Sequence, residues 1–278
     1  MSFVEVVQNL LNQKRGKRPR VGLALGSGGS KGFAHIGVIK MLEKNNIPID
    51  AIAGSSFGAV IGASYALSRD IDAVEKIALD VKYSNLLSLS DLSLSKGLVQ
   101  GKKIEKFLES YFGKSHFKDL QIPVKVVTTN CQNAQPFIID KGLLVPALHA
   151  SMCVPLAMHP MKWKDGTYLW DGGMSISVPA DITRDMGVDI VIAVNVDADY
   201  FSSAPSDLDM NIIKIAYHGI DMFRYHLAKY NVQNADIVIE PKLGEMAWYD
   251  LSTRKQAIEA GEVATQRQIK RIKSLFRV

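Results

Sequence analysis

Residues 51–67 read Ala51-Ile52-Ala53-Gly54-Ser55-Ser56-Phe57-Gly58-Ala59-Val60-Ile61-Gly62-Ala63-Ser64-Tyr65-Ala66-Leu67. A short apolar segment leads into the pentapeptide Gly54-Ser55-Ser56-Phe57-Gly58, and a run of small residues leads out of it. That is the strand–turn–helix setting of a nucleophile elbow, where a sharp turn holds the central residue, here Ser56, in a strained backbone conformation with its hydroxyl exposed. Gly54 and Gly58, two positions before and after, remove the Cβ atoms that would keep strand and helix apart. The N-terminus of the following helix favours negative charge beside the serine. A bare G-x-S-x-G is also a common small-residue turn, so the assignment needs support from elsewhere in the chain.

Outward from the elbow, apolar strand patterns alternate with helical ones. Strands are expected at Val21–Leu25, Ile49–Ala53, Val124–Thr129, Pro136–Ile139, Val188–Val196 and Asp236–Glu240. Helices are expected through Val38–Glu43 and over 57–68, 71–81, Lys102–Phe112, Pro146–Met152, 208–230 and 254–276. Met161–Trp170 has hairpin-like chemistry around Asp165-Gly166, and 82–100 reads as irregular and rich in Leu and Ser. Val188–Val196 is nearly all apolar, as in a strand covered on both faces. The alternation predicts an α/β fold, a three-layer α/β/α sandwich around a mainly parallel sheet. Residues 1–20 form a basic arm with a short amphipathic helix over 3–13, and 21–278 form one domain with no repeat or dividing linker.

At 278 residues, 47% hydrophobic and 22% charged, the composition is that of a globular protein with a sizeable core. No apolar run approaches the ~20 residues that span a bilayer. Met1–Val7 lacks the basic-then-apolar order of a secretory signal, which predicts a cytoplasmic location. Two cysteines, Cys131 and Cys153, fit a reducing compartment and read as small packing residues. The net charge of +5 is concentrated in the arm. Residues 1–20 hold Lys14, Arg15, Lys17, Arg18 and Arg20 against Glu5, and the remaining chain is nearly balanced. Such an arm can attract an anionic membrane surface, although a solvated leader is the simpler reading; no nucleic-acid partner is expected.

The loop after the first strand is Gly26-Ser27-Gly28-Gly29-Ser30-Lys31-Gly32. Backbone amides in such a loop, opening a helix, make an anion-binding nest. A phosphate-binding G-x-x-x-x-G-K-[ST] loop fails because Gly32 follows Lys31, and a G-x-G-x-x-G dinucleotide fingerprint fails because Lys31 takes the third glycine position. An oxyanion hole remains, with an elbow serine on the next strand to serve. The best base for that serine is Asp171 in Trp170-Asp171-Gly172-Gly173, although an Asp-Gly-Gly is usually only a turn. A Ser-acid-His order would need His218 or His226, and both lie inside the helical run 208–230. His35, His149 and His159 precede Asp171, and His116 has no evident role. No metal-ligand spacing is present, so neither a metal nor another cofactor is expected.

Gly22–Gly28 with Lys31-Gly32 and Ala34–Val38 resembles the opening motif of bacterial patatin-like phospholipases. Ala53–Ala59 resembles their elbow, Ala150-Ser151-Met152-Cys153-Val154-Pro155 their Ala-Ser-x-x-x-Pro segment, and Asp171-Gly172-Gly173 their Asp-Gly-Gly box, all in the family's order. Lys31 stands where the family usually has Arg, and Ile176-Ser177 stand where it often has Asn-Pro. The resemblance implies a Ser–Asp dyad without histidine, with Ser56 as nucleophile and Asp171 as base. It implies an oxyanion hole in the loop that contains Gly26, Gly28, Gly29, Lys31 and Gly32, chiefly from Gly28 and Gly29. It also implies acyl-ester lipid substrates, cleaved through an acyl-enzyme. Leu86, Leu87, Leu89, Leu92, Leu94 and Leu98 could line a lid or acyl channel, or pack as a satellite core. The basic helix near the C-terminus either lies on membrane or packs on the sheet, the latter being simpler. A regulatory protein on the same fold, or an acyltransferase using the same acyl-enzyme, would show the same motifs.

Overall fold

A computed structural model of the chain describes residues 18–80, 97–201, 212–244, 246–247 and 250–276. The expected helix over 3–13 and nearly all of the irregular stretch 82–100 lie outside them. Eight strands share one sheet: β1 (Val21–Leu25), β2 (Ala51–Ser55), β3 (Val124–Asn130), β4 (Pro136–Ile139), β5 (Met161–Lys162), β6 (Tyr168–Asp171), β7 (Ile190–Val194) and β8 (Ile237–Ile239). Five of them run parallel in the order β3-β2-β1-β7-β8. β4, β5 and β6 add antiparallel pairs beside β3, so a mainly parallel core carries a mixed edge.

The helices are α1 (Ala34–Lys44), α2 (Phe57–Ser68), α3 (Ile71–Asp80), α4 (Gly97–Phe112), α5 (Leu144–Ser151), α6 (Ala180–Arg184), α7 (Ile212–Asn231) and α8 (Arg254–Ser274). Every residue of β1, β2 and β7 is buried, as for strands covered on both faces. The alternation along β7 sorts the two faces. Ile190, Ile192 and Val194 join the large core, while Val191 and Ala193 join a small one with Ala24, Ala51 and Ala228. The small face suits its thin cover, which includes the short helix α6.

Most expected elements appear close to their predicted bounds, with three differences. β2 runs on to Ser55, because Gly54 pairs with Leu25 and Ser55 with Val127. α4 starts at Gly97, within the stretch expected to be irregular. α6 was not expected; its five residues are too few to show a helical period.

The carboxyl ends of β1, β2 and β7 lie side by side. β1 connects through α1 to β2 on one side and pairs with β7 on the other, so the glycine loop leaves β1 at a topological switch point, where open α/β sheets bind ligands. Behind this loop α1 and α8 cross closely. A Cβ on Gly37 would fall on the Ile258 carbonyl oxygen, and one on Gly261 on the Ala34 carbonyl oxygen. Gly261→Val is therefore expected to lower stability by about 3 kcal/mol or more. Gly219→Ala, where an added Cβ meets nothing within 4 Å, is expected to stabilise α7 by up to about 1 kcal/mol. Urea-unfolding midpoints of the two variants test the contrast.

Candidate active site

Ser56 lies between the last residue of β2 and the first of α2, with φ 54° and ψ −126°. This is a left-handed conformation that a serine adopts only under constraint. The constraint is steric. A Cβ on Gly54 would approach the Ala59 nitrogen to 2.6 Å, and one on Gly58 would approach the Gly26 carbonyl oxygen to 2.6 Å. Ser151, at the end of α5, fixes the turn from outside. Its hydroxyl accepts from the Ser56 N–H at 2.8 Å and donates to the Val127 carbonyl oxygen at 2.6 Å.

Asp171 is the last residue of β6. The Ser56 hydroxyl donates to Asp171 Oδ2 at 2.5 Å, and the Gly173 N–H donates to Oδ1 at 2.7 Å. The backbone of Asp171 is pinned as well: its N–H donates to the Cys153 carbonyl at 2.9 Å, and its carbonyl accepts from Thr129 Oγ1 at 2.8 Å. Both glycines of the Asp-Gly-Gly turn are sterically required. A Cβ on Gly172 would fall on the Val127 carbonyl oxygen, and one on Gly173 would come within 2.6 Å of Ser27 Oγ. Burial pushes the Asp171 carboxyl up to about 6, against the opposing effects of the Ser56 and Gly173 hydrogen bonds and the Arg224 charge. Among the described residues no histidine hydrogen-bonds Ser56 or Asp171. Ser55 Oγ is buried against Gly172 and has no hydrogen-bond partner.

The five loop residues singled out in the sequence divide between two places. Gly28 and Gly29, with Ser56 and Asp171, line a slot whose volume is about 30 Å³. Gly29 has φ 57°, which favours glycine, and a Cβ on Gly28 would strike the Val196 side chain. Gly26, Lys31 and Gly32 lie behind the slot. The Gly26 N–H donates to the Val194 carbonyl at 3.2 Å, and Gly32 packs against the Phe57 ring. The side chain of Lys31 is 1% exposed; its ammonium lies 2.9 Å from Asp197 Oδ1 and 3.6 Å from the Tyr200 ring centroid.

Several supporting residues were not legible as such in the sequence. Arg224 of α7 donates to Asp197 at 2.7 Å and lies 3.0 Å from Asp221, so four buried charges tie the glycine loop, the β7 exit and α7 together. Burial favours the neutral acid at Asp197, but the charges of Arg224 and Lys31 outweigh it and hold the carboxyl far below its usual range. His35 Nε2 donates to the Gly26 carbonyl at 2.8 Å, and burial pushes this imidazole down to about 4, which keeps it neutral. Ser177 replaces the expected proline. Its carbonyl accepts from the Ser27 N–H at 2.9 Å, while its own N–H donates to Asn231 Oδ1 at 2.9 Å. No group of three His, Cys, Asp or Glu side chains among the described residues could hold a metal ion. Asp197→Asn would leave two buried cations short of an anion and is expected to cost about 3–5 kcal/mol, measured as a shift in the urea midpoint.

Comparison with known proteins follows the same residues. The family model described as "Patatin-like phospholipase" matches residues 23–184, from β1 through α6. An uncharacterised NTE family protein of Mycobacterium tuberculosis is 36% identical over 178 residues, covering 64% of this chain and 49% of that protein. Neuropathy target esterase of Drosophila melanogaster is 33% identical over 181 residues, covering 63% of this chain and 13% of that protein. Lysophospholipase NTE1 of Coccidioides immitis is 35% identical over 184 residues, covering 64% and 12%. The matched region thus spans about half of the mycobacterial relative and about an eighth of the other two. Among solved structures, VipD from Legionella pneumophila shares the fold, with a TM-score of 0.58 at 14% identity over 91% of this chain and 67% of that one. The family model covers more than half of the chain and takes in the glycine loop, the elbow and the Asp-Gly-Gly turn, and on that match the chain belongs to the patatin-like phospholipase family.

Proposed function

We propose that the protein is a serine hydrolase of acyl-ester lipids, working through a Ser56–Asp171 dyad and an acyl-enzyme. The observation that carries this reading is the 2.5 Å hydrogen bond from the strained elbow serine to a buried aspartate, inside a slot lined by glycine-loop residues. Ser56 Oγ attacks the ester carbonyl carbon as its proton passes to Asp171 Oδ2. The oxyanion forms beside Gly28 and Gly29, whose amides donate to it, while the N-terminus of α2 adds its positive end. Gly26, Lys31 and Gly32 shape the loop from behind. As the tetrahedral intermediate collapses, Asp171 returns the proton to the departing alcohol and leaves Ser56 acylated. Asp171 then takes a proton from the water that attacks the acyl-enzyme, and gives it to Ser56 Oγ as the second tetrahedral intermediate collapses, the acyl–Oγ bond breaks and the fatty acid leaves.

A carboxylate raised to about 6 is a better proton acceptor than an ordinary aspartate and is still mostly ionised at neutral pH. A lysophospholipase and an esterase among the named relatives support lipid esters as the substrate class. Among the described residues no helix is long and apolar enough to cross a membrane.

Ser56→Ala and Asp171→Asn are each expected to reduce hydrolysis of a short-chain ester by on the order of a thousandfold or more, and the double variant to be little worse, because the two groups act as one unit. Ser55→Ala should keep most of the activity. A fluorophosphonate probe should label the wild type at Ser56, as read by peptide mass spectrometry. Labelling at Ser55, or a wild type that neither labels nor hydrolyses any acyl ester, would replace this reading with a regulatory role. Efficient transfer of the acyl group to an added alcohol in place of water would make it an acyltransferase.

Because the base must be ionised, kcat/KM should rise with pH through about 6 and level off above it. A flat profile between pH 5 and 8, a window about one to two units either side of that value, would remove Asp171 from the base's role.

A further inference from the structure

We propose that the outer face of α7 docks the protein on an anionic lipid surface; the proposal rests on the lipid-hydrolase reading and locates where the substrate is met. Ile212, Ile215, Met222, Phe223 and Tyr230 are all exposed large apolar residues, Phe223 at 79% and Ile212 at 77%. At 3.6 residues per turn they fall within one arc of about 100° on the helix. The opposite arc carries Tyr217, Asp221 and Ala228, which are buried. Tyr217, Ile220, Asp221 and Arg224 wall the slot that holds Ser56. One helix thus forms a wall of the candidate site with one side and presents with the other an exposed, mainly apolar surface in which His226 is also set.

Met174 marks the mouth of the slot, which it lines while remaining exposed. A helix that walls the slot and sets its outer face in lipid would hold that mouth close to the membrane surface, where an ester can reach Ser56.

Charge selects the occupant. On the slot side of α7 Arg224 and Asp221 lie 3.0 Å apart, and among the described side chains of the helix no carboxylate is exposed. Lys229 is exposed, with its ammonium 4.3 Å over the Tyr225 ring, beside the apolar arc. Apolar and aromatic side chains beside an exposed lysine, with no exposed acid among the described side chains of the helix, suit an interfacial helix on anionic lipid. A second copy of this chain would bring like charge against like charge.

The test uses the full chain and sedimentation with phosphatidylcholine vesicles, with and without phosphatidylglycerol, at about 0.15 M salt, where attraction between distant exposed charges is screened. Wild type should sediment with the anionic vesicles. The double variant Ile215→Ser/Phe223→Ser should bind on the order of tenfold more weakly or worse, yet hydrolyse a soluble short-chain ester at the wild-type rate, which also shows that it is folded. Phe223→Trp should gain a blue-shifted emission on anionic vesicles, above the background of the three native tryptophans. Unchanged binding by the double variant, no sedimentation of wild type, or no shift at residue 223 would overturn the proposal. So would a wild-type dimer that the double variant dissociates without any effect on vesicles. If wild type sediments and the tryptophan shifts but no ester is hydrolysed, the docking face stands and the hydrolase reading falls.

Discussion

One edge of β3 sets the geometry on which the site depends. β2 runs parallel to β3 and ends with Ser55 opposite Val127, while β6 runs antiparallel to it and ends with Asp171 opposite Thr128. β4 occupies the other edge, so β2 and β6 meet end to end along a single strand. Strands that approach head-on along one edge must bring their carboxyl ends together, and here those ends carry the serine and the aspartate. The register of two ladders therefore fixes the distance between two residues separated by 114 others in the sequence. At the junction neither strand can satisfy the Val127 carbonyl, and the Ser151 hydroxyl does so while holding the Ser56 amide.

Two buried carboxylates near the slot illustrate how surroundings divide labour between like groups. Burial works against the charged form of both Asp171 and Asp197. Asp197 faces Lys31 and Arg224 directly, and their charges hold it ionised as a brace. Asp171 receives one hydroxyl and one amide, with Arg224 acting only at a distance, so its proton affinity rises. Exchanging direct cations for neutral donors is enough to raise the proton affinity of a buried carboxyl.

The sequence made local features legible. The elbow, the glycine loop and most strands depend on short-range sterics and periodicity, and they lie where those patterns put them. The glycine-flanked turn offers Asp171 as the best base for Ser56, but only resemblance makes the pair a dyad without histidine, because no local rule links a turn after residue 170 to one at residue 56. Ser151, His35, Asp197 and Arg224 were missed as supports for the same reason: each acts through a contact that only the assembled sheet creates. By its position in the loop Lys31 reads as part of an anion cradle. Its side chain instead turns to Asp197, and that aspartate sits in a β7 exit with no motif to mark it. The start of α4 and the existence of α6 escaped because neither offers a clear helical period.

The crossing of α1 and α8 has a consequence for how the protein is made. Gly261 packs on the carbonyl of Ala34, which directly follows the 3-10 turn Gly29–Phe33 of the glycine loop. Contacts between α8 and that turn reinforce the dependence. A ribosome adding about 5–20 residues per second needs some tens of seconds to travel from one position to the other. Once Ser151 has been added the elbow has the hydroxyl that fixes it, whereas the loop facing it still lacks the backing of Gly261. A nascent chain would carry its elbow serine through the whole stretch from Ser151 to Gly261 without the helix that backs the glycine loop, and that loop would gain its support only as α8 docks on α1.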